Sequence, residues 1–487
     1  MDIKKKWILF LLFNMTLWSV VPLLRLSLPM DTQEAIIWGK YSLLGTTKHP
    51  PFSGIIAYYF YLAFGKTNGA MYFLSQIFVF IGLIYIYKLA CLFVDKNKAI
   101  LAAMLQAGII FYNFSSVEFN VNVVSLSLWP MSAYYFWQAY THNKIKDWLL
   151  FGALCGLNLL NKYTGIMLPA AICVFLLTCK KGRLQLLNYK AYAAVLCAVA
   201  LFAPHFWWLA EHNFETLDYF LMRSSNKTIS SEWRHLLYPL KFIGAQILFS
   251  AAALLTYAAF YKFSEKENKP SVTAENSKFL LICGFFPLTV FALISLIAGT
   301  PLKSMWGFPN QFLTGIMLVY FFPLKLNNEK TLRYSAIMAV WSLLFSLAYG
   351  LQCVITTSER FRSDCPSIVQ MLEQKWADRT NGQPLEYIGS DVWFANMFAL
   401  YGKHEIKPMI WLNPENNPWL DATDYEKKGA LVILSNYQSY MTYKEKYGDK
   451  LTAPQNIKMA YTSFFGRIKV RDLFVGYYNV KESKNAE

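Results

Sequence analysis

The 487-residue chain is 55% hydrophobic and only 16% charged, well below the roughly 25% charge of soluble domains, which excludes an ordinary soluble globular protein. Its formal net charge of +16 invites a nucleic-acid partner. The basic residues, however, fall in short clusters between apolar runs and not on one face or in one tail, so no nucleic acid is expected.

In chain order, a basic start with Lys4, Lys5 and Lys6 leads into an apolar run over 7–28 that lacks a convincing small-x-small cleavage site. It reads as a retained first span with the N-terminus in the cytoplasm, Arg25 snorkelling to the interface near its outer end. Further apolar runs follow at 69–93, 99–117, 121–140, 148–161, 163–179, 189–208, 236–261, 279–298, 306–323 and 334–353. That gives about eleven transmembrane helices, each facing a hydrocarbon core of roughly 30 Å. The clusters Lys96/Lys98, Lys144/Lys146, Lys180/Lys181/Arg183, Lys262/Lys266/Lys269 and Lys325/Lys330/Arg333 occupy every second loop. This is the pattern of cytoplasmic loops. Loops at 94–98, 141–147, 180–188, 262–278 and 324–333 are therefore expected in the cytoplasm, and the tail outside.

Residues 1–353 thus read as a membrane domain with external surface helices at about 29–68, and 354–487 as a periplasmic domain. In the first external loop, helices are expected near 32–44 and 53–64. Ile37, Tyr41 and Leu44 would share a face of the earlier one, laid along the membrane surface. The tail is richer in Asp, Glu, Asn and Gly, with a strand-like run at Ala430–Leu434 and helical windows at Ser367–Trp376 and Trp393–Tyr401. A small α/β domain fits it. Six of eight cysteines lie in or beside apolar runs as small hydrophobes, and Cys353 and Cys365 are candidates for pairing.

Polar residues at the external ends of the spans are where chemistry can sit. Asp31 and Glu34 have the spacing of a capping box, the default reading. As chemistry, one carboxylate would take the proton of an attacking alcohol, while Lys48 and His49, just before Pro50 and Pro51, would receive a departing phosphate. Glu118, Asn120 and Asn122 interrupt an apolar region at the turn between the third and fourth spans, where a wet hairpin tip is the simpler reading. Asn158, Asn161 and Lys162 form another polar group, and Lys303 and Trp306 lie in a further external loop. Trp207 and Trp208 resemble an interfacial anchor. His212 and Glu215, three apart, would share a helix face, and no Cys/His spacing suggests zinc.

Taken together, these stretches resemble the bacterial lipid-linked-sugar glycosyltransferases of the GT-C membrane class, which include protein O-mannosyltransferases and lipid A aminoarabinose transferases. The likeness rests on Asp31 and Glu34 followed by His49-Pro50-Pro51, and on the Glu118 turn with Trp129. It continues through GALCGLNLLNKYTGIML from Gly152 and the loop Pro301–Trp306, covering about residues 25–325. It implies an inverting transfer of sugar from a polyprenyl-phosphate donor to lipid A, another envelope glycan or a protein, at the external face of a bacterial inner membrane. It further implies Asp31 as base and Glu34 as its companion or the acceptor's. Glu118 stands where many relatives carry Asp. Lys48, His49, Lys162 and, more weakly, Lys303 would contact donor phosphate, with Asn120 and Asn122 near sugar or acceptor. A divalent cation is possible but not required, since the cations alone can neutralise phosphate. Two other classes fit the spans: a flippase or glycan-export transporter, and a non-catalytic envelope-assembly scaffold.

Overall fold

The computed structural model describes residues 3–225, 232–267, 272–413 and 417–480, so Lys269 of the 262–278 loop lies outside the described residues. The chain folds as two compact units that interleave along the sequence. The first comprises residues 1–21, 44–53 and 71–348, and the second 22–43, 54–70 and 349–487.

The first unit is a helical bundle. Among the described residues, five helices are long and apolar enough to cross a membrane: Lys5–Leu24, Asn68–Ala90, Tyr189–Glu211, Ala274–Ala298 and Asn328–Ile355. The number rises to seven if Lys96–Val117, bent by 88°, and Arg234–Phe263, bent by 59°, each count as one crossing. The chain is therefore an α-helical polytopic membrane protein. Val121–His142, Ile145–Asn161 and Met167–Thr178 are helices too, much of their surface turned to neighbouring helices.

Small residues set how closely these helices approach. A Cβ at Gly152 would overlap the Ala194 carbonyl oxygen, and one at Gly156 would lie 3.0 Å from the Leu201 Cβ. Ile145–Asn161 and Tyr189–Glu211 thus cross backbone to backbone, as small-xxx-small spacing allows. Polar side chains bind other pairs. Asn158 Nδ2 donates to Ser132 Oγ at 3.0 Å and Asn161 Nδ2 to Ser125 Oγ at 3.0 Å. Trp18 Nε1 donates to Ser342 Oγ at 3.2 Å, and that hydroxyl in turn donates to Asn14.

The basic loops meet at one end of the bundle. Lys98 pairs with Asp95 and Glu267, and Lys325 with Glu265. Asn188 Nδ2 donates to Asn143 Oδ1 at 2.7 Å, and Lys278 Nζ to the Thr178 carbonyl at 3.0 Å.

The second unit holds a five-stranded sheet, β1 Tyr387–Ser390, β2 Lys407–Ile410, β3 Ala430–Leu434, β4 Gln455–Thr462 and β5 Ile468–Tyr478. The spatial order is β2-β1-β3-β5-β4, parallel across β2-β1-β3 and antiparallel across β3-β5-β4. β3 is the run expected from sequence, buried at every position as a central strand should be. The two helical windows lie within Cys365–Arg379 and Val392–Tyr401. Cys353 and Cys365 are buried free thiols.

Two local expectations fail in this unit. The helix Met30–Tyr41 does not lie along a surface: Thr32 to Gly39 are all buried, and Leu44, expected on its apolar face, is beyond its end and exposed. The reason is packing on several sides. Met30 meets the apolar cluster of Val392, Ala395 and Ile410, and Gly39 lies against the Gly54 backbone. Tyr41 stacks on Trp419 with ring centroids 5.6 Å apart, and Lys40 pairs with Glu405 at 3.1 Å. Arg25 does not snorkel. It is 9% exposed, with Nη2 donating to the Arg360 carbonyl at 2.7 Å and its guanidinium 4.0 Å from the Phe361 ring centroid.

The close crossing at Gly152 makes a stability prediction. Gly152→Leu forces the two helices apart, and overpacking of this kind costs about 1–3 kcal/mol. The expected outcome is an unfolding midpoint several degrees lower in detergent, read by tryptophan fluorescence, with Gly156→Ala losing less. An unchanged midpoint for Gly152→Leu would show that the crossing is looser than described.

Candidate functional site

At the end of the bundle that carries Lys162, a short loop is clamped onto two helices. Thr46 organises the loop from within. Its Oγ1 accepts from the Lys48 and His49 amides at 3.2 and 3.0 Å and donates to the His49 carbonyl at 2.9 Å. Such side-chain bonding is the usual way a Ser or Thr fixes a turn. From outside, Thr216 Oγ1 donates to the Thr46 carbonyl at 2.7 Å.

His205 holds the loop with both ring nitrogens. It is 1% exposed, with Nδ1 2.6 Å from the Leu44 carbonyl oxygen and Nε2 2.7 Å from the Tyr163 hydroxyl. A carbonyl can only accept, so Nδ1 carries the proton. Trp208 completes the clamp: a Cβ at Gly45 would overlap its ring, so the loop backbone lies flat on the indole. Tyr163 directly follows Lys162, and His205 therefore ties the Lys48–His49 loop to the Lys162 segment.

Lys162 is 7% exposed, and its Nζ donates to Asn122 Oδ1 at 2.7 Å. The Asn122 amide nitrogen lies 3.8 Å from Met305 Sδ, which brings in the loop of Lys303. Lys303 itself is half-buried at the head of the short 3₁₀ turn Ser304–Gly307. Lys48 Nζ lies 5.9 Å from the Tyr219 ring centroid. Burial first, then the charges of Lys162 and Lys48, push the His49 imidazole down to about 3, so it is neutral at pH 7. Lys48 and Lys162 are thus both near enough to act on His49, which groups the three basic side chains at one place.

The remaining sequence candidates divide. Asn120 caps the helix Val121–His142, its side chain accepting from the Asn122 and Val123 amides at 2.9 and 3.3 Å. Glu118 is half-buried just past the 3₁₀ turn Phe114–Val117. Asp31 and Glu34 both lie on Met30–Tyr41 in the second unit. The expected capping box is not there: Pro29 is the N-cap residue and makes no side-chain bond, placing Asp31 inside the first turn and Glu34 beyond it. Proline arrives with its φ preset and starts the helix two residues earlier than the sequence pattern suggested. Asp31 still faces the positive helix end. It is half-buried, and Glu34 is 4% exposed.

Two further readings are corrected. His212 and Glu215 do not share a helix face, because Asn213 and Phe214 take left-handed φ values of 49° and 57° between two helices. Of the tryptophan pair, only Trp207 is exposed, at 66%; Trp208 is buried at 6%. The clamp residues His205, Gly45 and Trp208 were missed as a group, since nothing in their spacing joins positions 160 apart. Among the described residues, no three His, Cys, Asp or Glu side chains gather as a metal site would require.

Comparison with known proteins places this geometry. The family model described as dolichyl-phosphate-mannose-protein mannosyltransferase matches residues 48–208, the stretch from the clamped loop to Trp208. The lipopolysaccharide core galacturonosyltransferase RgtA of Rhizobium johnstonii is 24% identical over 257 residues, 52% of this chain and 51% of that protein. The undecaprenyl phosphate-alpha-4-amino-4-deoxy-L-arabinose arabinosyl transferase of Photorhabdus laumondii is 24% identical over 248 residues, 47% of this chain and 42% of that one. The chain thus spans about half the length of the curated relatives it matches. The crystal structure of ArnT from Cupriavidus metallidurans bound to undecaprenyl phosphate superposes with a TM-score of 0.64 at 14% identity, covering 96% of this chain and 97% of that one. This chain accordingly has the GT-C fold of ArnT and is related to the bacterial glycosyltransferases of that class.

Proposed function

We propose that the protein is an inverting glycosyltransferase that moves a sugar from a polyprenyl-phosphate donor to an envelope acceptor, such as lipid A, another glycan or a protein. The observation that supports it best is the grouping of Lys48, His49 and Lys162 at one place. Basic side chains gathered at one place suit a phosphate, which each can contact by a charge-assisted or neutral hydrogen bond. The relatives named above include transferases whose names carry a polyprenyl phosphate, which is consistent with a lipid phosphate as the ligand.

In the proposed step the acceptor hydroxyl oxygen bonds to the anomeric carbon as the bond from that carbon to the phosphate oxygen breaks. Asp31 takes the hydroxyl proton, and polyprenyl phosphate leaves with the electron pair toward Lys48, His49 and Lys162. Glu34 orients Asp31 or the acceptor, Glu118 is a further catalytic carboxylate, Asn122 orients Lys162, and Lys303 is a weaker phosphate contact.

The same reading sets the protein in a bacterial inner membrane, N-terminus inside and C-terminal domain in the periplasm. Eleven crossings follow if Val121–His142, Ile145–Asn161, Tyr163–Thr178 and the segment 304–321 each span beside the seven above. The meeting of the basic loops at one end of the bundle supports this. Reporter fusions after Lys181 and after Gly382 are expected to report opposite compartments; the same compartment at both sinks the topology.

Because His49 is neutral at pH 7, it offers a hydrogen bond there, whereas Lys162 offers charge. Lys162→Met is expected to weaken donor binding about 10–100-fold, the worth of a charged hydrogen bond. His49→Gln is expected to cost clearly less at that pH. A bound phosphate favours the protonated ring and raises its pKa, so binding takes up a proton. Affinity for the sugar phosphodiester, which has no ionisation of its own in this range, then strengthens as pH falls from 7.5 to 5, and His49→Gln flattens the profile. A flat wild-type profile removes His49 from the phosphate.

For Asp31, the test is single-turnover transfer by Asp31→Asn. The change keeps the side chain's size and loses only about 0.3–1 kcal/mol of helix-end attraction. Normal accumulation with a rate lowered about 10²–10⁴-fold is expected of a general base, and Glu34→Gln is expected to be impaired less. Near-wild-type transfer by Asp31→Asn rules it out as base.

A further inference from the structure

The hairpin joining β4 to β5 ends in a turn whose composition does not suit water. The Gly466 amide donates to the Ser463 carbonyl, the Ser463 amide to the Arg467 carbonyl, and Gly466 takes a left-handed φ of 75°. This is a tight three-residue hairpin turn with glycine where positive φ is needed. Its central positions are normally polar, yet here they are Phe464 and Phe465, 55% and 71% exposed. The strand beyond adds Ile468 and Val470, 66% and 54% exposed. Together they make a contiguous apolar patch of the kind that marks a contact surface. Exposed Arg467, Lys469 and Arg471 alternate with these apolar residues.

A second, independent observation says what meets this patch. The Phe464 amide donates to the Val354 carbonyl at 3.0 Å, and Val354 lies in the last turn of Asn328–Ile355, one of the five long apolar helices. That helix presents Leu347, Leu351 and Ile355, four apart, at 59%, 56% and 45% exposure, and the chain turns polar at once with Thr356, Thr357 and Ser358. The hairpin tip is thus bonded to the point where the helix passes from hydrocarbon to headgroups. Arg362 fixes it there, Nε donating to the Thr462 carbonyl at 2.8 Å and its guanidinium 4.4 Å from the Phe464 ring centroid.

We infer that the 462–470 hairpin is a membrane-surface anchor. Phe464 and Phe465 seat among the headgroups and upper acyl chains of the leaflet where Asn328–Ile355 ends, and Arg467 and Lys469 lie on phospholipid phosphates. Aromatic rings and basic side chains are the residues that this layer takes up. The inference needs only the spanning helix and is independent of the transfer reaction.

The test uses the full chain in nanodiscs of phosphatidylethanolamine and phosphatidylglycerol, with p-benzoylphenylalanine replacing Phe465, an exposed aromatic. Leu351 is the lipid-facing positive control. Tyr437 is the negative control: exposed at 52%, it meets Phe474 edge-on with ring centroids 5.3 Å apart, and Phe474 is six residues along β5 from Ile468, or about 20 Å. After irradiation and digestion, phospholipid adducts are expected at positions 465 and 351, with at least tenfold fewer at 437. Adducts at 351 with none at 465, equal yields at 465 and 437, or cross-links from 465 to a second copy of the chain would each overturn the inference.

Discussion

A polar group buried in an apolar bundle must find its partner on a neighbouring segment, and the first unit is assembled around that requirement. Asn158 and Asn161 reach across to serines of Val121–His142, and Trp18 reaches Ser342. Each bond fixes the rotation of one helix against the next, which apolar packing alone does loosely in lipid. Lys162 is the most consequential case. Its buried ammonium donates to Asn122 Oδ1 at 2.7 Å, which ties the segment after Ile145–Asn161 to the helix Val121–His142.

The clamp around His205 is the second half of that arrangement. A short loop bearing Lys48 and His49 has little rigidity of its own. One buried imidazole bonded at both nitrogens, with the loop backbone flat on Trp208, removes most of its freedom. Holding cationic groups in place before a ligand arrives lowers the ordering cost of binding. The loop is thus preorganised, and burial first, then the charges of Lys162 and Lys48, keep His49 neutral at pH 7.

The second unit shows how a water-facing sheet and first-loop helices share one core. Met30–Tyr41 serves less as a surface element than as an internal strut, pinned at Met30, Gly39 and Tyr41. Asp31 stands in the first turn of that strut, so its position is set by tertiary packing and not by capping geometry. Asn120, by contrast, uses its side-chain oxygen to cap the helix Val121–His142.

Hydropathy and charge placement made the membrane class, most helix positions and the sheeted tail legible, because lipid and water impose their preferences residue by residue. The run Ala430–Leu434 was legible as a strand for the same reason, and the structure then put it at the centre of the sheet, buried at every position. The chemistry-bearing types were legible as well, since Lys48, His49 and Lys162 stand out in apolar surroundings. What sequence could not decide was partnership. That Asn122 would take Lys162, that His205 would join positions 44 and 163, and that the Phe464 amide would meet Val354 all depend on segments far apart in the chain. Local rules even misplaced Asp31, because a preset proline φ and burial of the following turn outweighed a good capping pattern. Tertiary structure decides such matters because hydrogen bonds and close packing are short-ranged in space, whatever the distance along the chain.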